Sequence, residues 1–150
     1  MKRYNGFTSI VALVCFSFLM LTQQVIAQES VTYYHNDLLG SPVAATDENG
    51  DVLWRRHYAP FGAEIASEGE GAENDRKGYT GHVMDRDTGL VYMGARYYNP
   101  DIGVFYGYDP APVTVGNPFS FSRYAYANQN PYRYVDPDGR TPVDLLFLGV

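Results

Sequence analysis

Cysteine is almost missing from this chain. Cys15 is the single one among 150 residues. It falls in an apolar stretch near the N-terminus, so a disulfide framework is excluded. Long apolar runs are scarce too. Ile10 to Leu21 carries no charge, but it is shorter than the ~20 residues that cross a bilayer. Basic residues are outnumbered, 11 against 17 acidic, for a net charge of −6. That balance argues against nucleic acid or an anionic membrane as a partner. A phosphate loop, a nucleophile elbow and a Cys-x-x-Cys pair are all absent. The histidines, His35, His57 and His82, lack the paired spacing of a metal site. No metal and no cofactor is expected.

What the N-terminus does have is the pattern of export. Lys2 and Arg3 precede the apolar run, and Val25-Ile-Ala27 follows it with small residues before a cut. Residues 1–27 read as a secretory signal peptide, cleaved between Ala27 and Gln28. An anchoring helix and a lipidated Cys15 are the alternatives. The run is short for the first, and Leu13-Val14 is bulky for the second. The cleaved chain would have no stable membrane span and would reside in the periplasm, at the cell surface or outside.

Aromatics are plentiful, with 14 tyrosines, and tyrosine favours strands while keeping a polar tip on a buried ring. Between the aromatic runs stand Pro/Gly turns: Tyr58-Ala-Pro-Phe-Gly62, Tyr98-Asn-Pro-Asp-Ile-Gly103, Tyr108-Asp-Pro110 and Tyr134-Val-Asp-Pro-Asp-Gly139. Asp47-Glu-Asn-Gly-Asp51 separates two β-prone runs, a strong hairpin signal. The expected fold is mainly β, with antiparallel hairpins in a curved partial shell. Gly50, Gly62, Gly89, Pro100, Gly103, Pro137 and Gly139 are its turn residues. A first hairpin unit covers 28–63, with a strand over Ser30 to Tyr34. Residues 64–77 hold no aromatic and read as a flexible loop. Strands resume over Gly78 to Val83, Leu90 to Tyr98 and Val104 to Tyr108. Ser122 to Asn128 stays open between helix and strand, and 141–150 is an apolar remnant.

Four blocks in order carry a resemblance. They are Tyr34-His-Asn-Asp-Leu-Leu-Gly-Ser41; Thr46-Asp-Glu-Asn-Gly50 with Tyr58-Ala-Pro-Phe-Gly62; Tyr79-Thr-Gly-His-Val-Met-Asp-Arg-Asp-Thr-Gly-Leu90 with Ala95-Arg-Tyr-Tyr-Asn-Pro100; and Tyr124-Ala-Tyr-Ala-Asn-Gln-Asn-Pro131 with Val135-Asp-Pro-Asp-Gly139. Over 78–140 above all, the chain resembles the rearrangement-hotspot (RHS) repeat-associated core of the YD-repeat proteins. The resemblance implies a β-cocoon segment that closes a shell around a toxic C-terminal domain. It also implies a core able to cut its own chain after the final Asp-Pro-x-Gly motif. Carried onto this sequence, the cutting pair is Asp109 and Asp136, and the bond is Arg140–Thr141. Two close carboxylates are then expected to share a proton, one acting as acid and the other on a water. This chain departs from the family at Pro112 (usually Gly), at Val104 (usually Arg), at Arg140 (usually Leu) and in the wider spacing of the two aspartates. Arg96 is expected to pair with an acid.

Two other motifs read as turns. Asp87-Thr-Gly89 matches half of an aspartic-protease site, but Asp85 and Arg86 before it are hostile to a buried catalytic strand. Asp47 to Asp51 spaces oxygen ligands as a calcium loop does, yet Tyr58 stands where the bidentate Glu belongs. The expected function is a secreted RHS-core shell or delivery module of a polymorphic-toxin system, without its own toxin. An autoproteolytic core and a surface adhesion or carbohydrate-contacting module are the alternatives. Expected partners are other YD-repeat shell segments or a second copy.

Overall fold

The computed structural model describes residues 30–69 and 71–149. The signal-peptide reading at Ala27–Gln28 lies outside them. Among the described residues, ten short strands form three antiparallel sheets. The first holds β1 (Tyr33–Asn36), β2 (Pro42–Thr46), β3 (Val52–Tyr58) and β4 (Glu64–Gly69) in sequential order. The second holds β5 (Val83–Met84), β6 (Val91–Tyr92), β7 (Tyr97–Asn99) and β8 (Val104–Phe105), again in order. The third pairs β9 (Tyr134–Val135) with β10 (Val143–Asp144), which leads into the short helix α1 (Leu145–Leu148). None of the sheets closes on itself. Among the described residues no helix is long and apolar enough to cross a membrane.

One local device makes most of the turns. An Asp or Asn opens the turn, and its side-chain oxygen takes backbone N–H groups two to five residues on. Asp37 Oδ1 takes those of Leu39 (2.9 Å) and Ser41 (2.8 Å). Asp47 Oδ1 takes those of Asn49 and Asp51, both at 2.9 Å. Asp85 does so with Asp87 (3.0 Å), and Asn99 with Asp101 (2.9 Å). These Asx turns bend the chain without help from tertiary contacts. They are why the punctuation was readable. Asp47 is thereby a hairpin residue, and the Asp51 N–H holds its carboxyl below the usual aspartate range. Gly50, Gly62, Gly89, Gly103 and Gly139 all sit at positive φ.

Period-two alternation then sorts the second sheet. Met84, Val91, Tyr98 and Phe105 face inward and join Tyr79, Met93, Tyr126 and Ala127 in one buried cluster. Their strand neighbours Val83, Tyr92 and Tyr97 face out. The core is unusually phenolic. The Tyr98 and Tyr126 rings lie 4.5 Å apart, and Tyr79 is 6.2 Å from Tyr98. Tyr98 Oη donates to the Phe61 carbonyl (2.7 Å), and Tyr79 Oη to that of Pro60 (2.9 Å). Two phenols of the second unit thus bind the Ala59–Gly62 turn of the first, which satisfies buried hydroxyls and joins the units.

Several elements differ from expectation. The strand expected over Ser30 to Tyr34 is Tyr33–Asn36. Gly78 to Val83 is chiefly a 3-10 turn at Tyr79–Gly81, with Thr80 at φ 52°. Ser122 to Asn128, left open, is neither a regular helix nor a strand. Ala125 makes one bridge to Val104, and Ala127–Gln129 forms a 3-10 turn. The expected loop over 64–77 is corrected for its first half, because Glu64–Gly69 is a strand paired along β3. Its side chains mostly face solvent, so the absence of aromatics did not forbid it. The carbonyls that follow are gripped by distant cations. The fully buried Arg56 donates to the carbonyls of Lys77 (2.7 Å) and Ala72, and Arg86 to Asp75 and to Glu64. Residues 141–150 are likewise no trailing remnant throughout. Val143–Asp144 pairs with β9, and Asp144 receives Arg133 Nε (3.0 Å) and the Leu146 N–H (3.1 Å).

Candidate self-cleavage site

The Asp-Pro-Asp-Gly turn after β9 is locked from three sides. His82 Nε2 hydrogen-bonds the Pro137 carbonyl at 3.1 Å, the Ala95 N–H donates to the Asp138 carbonyl at 3.0 Å, and Arg96 Nε donates to the Gly139 carbonyl at 2.5 Å. The β6–β7 turn that carries Arg96 packs directly on this loop. A Cβ on Gly139 would stand 2.4 Å from the Met93 carbonyl, so only glycine fits there.

Arg96 is the hub. Its Cζ sits 3.6 Å above the Phe105 ring, which desolvates the guanidinium and orients it. Nη1 donates to the Arg123 carbonyl at 3.1 Å. Nη2 lies 3.3 Å from Asp109 Oδ2 and 3.3 Å from Asp136 Oδ2. The two expected aspartates therefore meet at one point in space. They meet across the guanidinium of Arg96, which contacts both carboxylates through the same nitrogen.

Asp136 is the more unusual carboxylate. It is 1% exposed. Its Oδ1 accepts the N–H of Arg140 (2.9 Å) and of Thr141 (3.1 Å). Burial raises its pKa above the ordinary aspartate value, against the pull of the Arg140 N–H and Arg96. Asp138 moves the other way. Burial pushes its carboxyl up, but the N–H groups of Arg140 and Thr141 outweigh it, and the carboxyl ends below the usual range. The pair whose affinities are split is thus Asp136 with Asp138, and it brackets the amide of the Arg140–Thr141 bond. Next to that bond lies a cavity of about 280 Å³, lined in part by Arg96, Asp109, Arg123, Arg140 and Thr141. Such a volume admits several waters.

The family model of the teneurin YD-shell matches residues 21–132, well over half of the chain. The chain belongs to the RHS/YD-repeat family. The match stops short of the Asp136 loop. This YD-shell chain is 38% identical over 108 residues to the tRNA3(Ser)-specific nuclease WapA of Bacillus spizizenii, covering 71% of this chain and 5% of that protein. It is 31% identical over 120 residues to toxin subunit YenC1 of Yersinia entomophaga, covering 78% of this chain and 12% of that one. Its fold resembles the crystal structure of TcdB2-TccC3-Cdc42 with a TM-score of 0.67 and 30% identity, over 79% of this chain and 6% of that one. It spans only a small part of each, and the activities named for them belong to the whole proteins.

The YD-shell chain thus brings Asp109, Asp136, Arg140 and Thr141 together. Pro100 and Pro137 follow the Asx residues Asn99 and Asp136 as turn formers. Asp87 remains in an exposed turn. The role of His82 was not foreseen, since a single histidine far upstream gives no signal of its partner. Arg96 was expected to find one acid and finds two. Asp138 was visible only as part of a turn.

Proposed function

We propose that this chain is an exported YD-shell module of a toxin-delivery system, a wall segment that pairs with other YD strands. The observation that carries the shell reading is the open first sheet. It ends on β1 and β4, whose outer edges pair with no other strand among the described residues and can therefore extend a shell. Its four-stranded, hairpin-by-hairpin order is that of a repeating wall. The family match supports the same reading. Export rests on the sequence pattern of residues 1–27.

A second reading is favoured by the Asp136 geometry: the module cuts itself after Arg140. Asp109 takes a proton from a water in the adjoining cavity as that water adds to the Arg140 carbonyl carbon. The C–N bond to Thr141 breaks, and protonated Asp136 supplies the proton that the departing amine needs. Arg96 holds the two carboxylates in register.

Intact mass of the exported protein tests both. Export with cutting is expected to give a chain from Gln28 to Arg140. A product that keeps residues 1–27 overturns export, and one that still ends at Val150 after prolonged incubation overturns cutting.

A further inference from the structure

Between Asp109 and Asp136 runs a segment that opens on Pro110 and Pro112. From Val113 to Ser122 it is almost wholly exposed. Little in that stretch could hold the Asp109 turn. Locally the turn has one Asx bond, from the Ala111 N–H to Asp109 Oδ1 at 2.7 Å. Beyond the contact of its carboxylate with Arg96, the hold on this turn comes from Arg123. Its Nη2 donates to the carbonyls of both Asp109 and Ala111. Its guanidinium lies 4.5 Å from the Tyr108 ring centroid. Its own carbonyl accepts the Asp109 N–H at 3.1 Å and Arg96 Nη1 at 3.1 Å. One residue therefore fixes the Asp109 backbone on both sides and ties it to the head of Arg96.

We propose that Arg123 is a positioning residue that holds the Asp109 carboxylate against Arg96 and beside the Arg140–Thr141 bond; this rests on the self-cutting reading. Arg123 reaches neither the scissile bond nor Asp136 in the contacts described, so it acts through Asp109 and Arg96. Its planar fork is what the task needs, since it spans two carbonyls while stacked on a ring. A lysine ammonium is a point donor and does not reproduce that arrangement. Without it, a proline-stiffened, solvent-exposed segment is free to carry Asp109 away. A displacement of about 1 Å at a reacting group costs up to about 100-fold in rate.

The test uses the full chain, with two readouts. The first is release of residues 141–150 by mass, followed after refolding. Arg123→Ala is expected to cut about 10- to 100-fold more slowly than the unmodified chain. Arg123→Lys is expected to stay slow although its melting temperature is close to the parent's, and added methylguanidinium to raise the rate of Arg123→Ala only. Parent-like cutting in Arg123→Ala, or full rescue by Lys, overturns the role. The second readout needs no cutting: solvent exchange of the Arg96 Nε–H by NMR. It is expected to quicken in Arg123→Ala while the Tyr98 and Tyr126 ring signals stay put. Unchanged exchange overturns the role. A parent chain that never cuts sinks the self-cutting reading, and the exchange readout still decides whether Arg123 positions Arg96.

Discussion

Gly62→Ala is expected to destabilise the chain by about 2–5 kcal/mol and to lower its Tm by at least about 10 °C. Two costs add. Gly62 has φ +91°, where a side chain is strained. A Cβ there would also stand 2.3 Å from Tyr79 Cγ and 2.5 Å from Cδ1. The ring cannot retreat, because Tyr79 is 1% exposed, stacked on Tyr98, and donates its hydroxyl to the Pro60 carbonyl. The substitution therefore pries the first hairpin unit off the core of the second. Gly50→Ala is the matched control. Gly50 has φ +87°, yet a Cβ there meets nothing within 4 Å, so it bears the backbone cost alone, about 1–2 kcal/mol. Thermal unfolding of both variants separates strain from clash. Equal losses of Tm would remove Tyr79 from the explanation.

Asp136→Asn is expected to slow release of residues 141–150 by at least about 100-fold. The amide still accepts the N–H groups of Arg140 and Thr141, so the loop keeps its shape. It can neither give a carboxylic proton nor offer a negative charge to Arg96, which retains Asp109 and two carbonyls. Near-UV circular dichroism should therefore remain that of the folded protein. The pH dependence gives a second signature. Because burial raises the Asp136 pKa, the acid form persists above the ordinary aspartate range. Cutting falls as pH rises through that raised value. Its contribution to stability follows the same sign, full below the unfolded aspartate value and lost as pH rises through the folded one. A rate in Asp136→Asn equal to the parent's, with the same pH profile, would exclude Asp136 as the acid.

Turns were legible in the sequence because their chemistry is local. Asp37, Asp47, Asp85 and Asn99 each bend their own next few residues, and the glycines follow within the same motif. The second sheet was legible only in part: Leu90 to Tyr98, expected as one strand, is two, Val91–Tyr92 and Tyr97–Asn99, folded back on each other by the turn that carries Arg96. What stayed hidden depends on partners far along the chain. Residues 64–69 looked too poor in apolar groups to order, yet β3 supplies a backbone ladder, and Arg56 and Arg86 satisfy the carbonyls beyond it. Ala127, Asn128 and Gln129 adopt positive φ without glycine, which propensity does not foretell. At the site, the convergence of Asp109 and Asp136 came from resemblance to a family. Their separation by a guanidinium could not be read from spacing, because Arg96 pairs across 13 and 40 positions at once. Asp138 hid in plain view as a turn residue.

Assembly of a chimera bears most directly on the shell assignment. Residues 30–140 of this chain would replace the matching segment of toxin subunit YenC1, and the purified product would be imaged by electron microscopy. A wall module is expected to give particles with the parent's outline, with the grafted strands continuing the parent's sheet at β1 and β4. A folded graft that hangs outside the shell, or leaves the wall open at that point, would contradict the assignment.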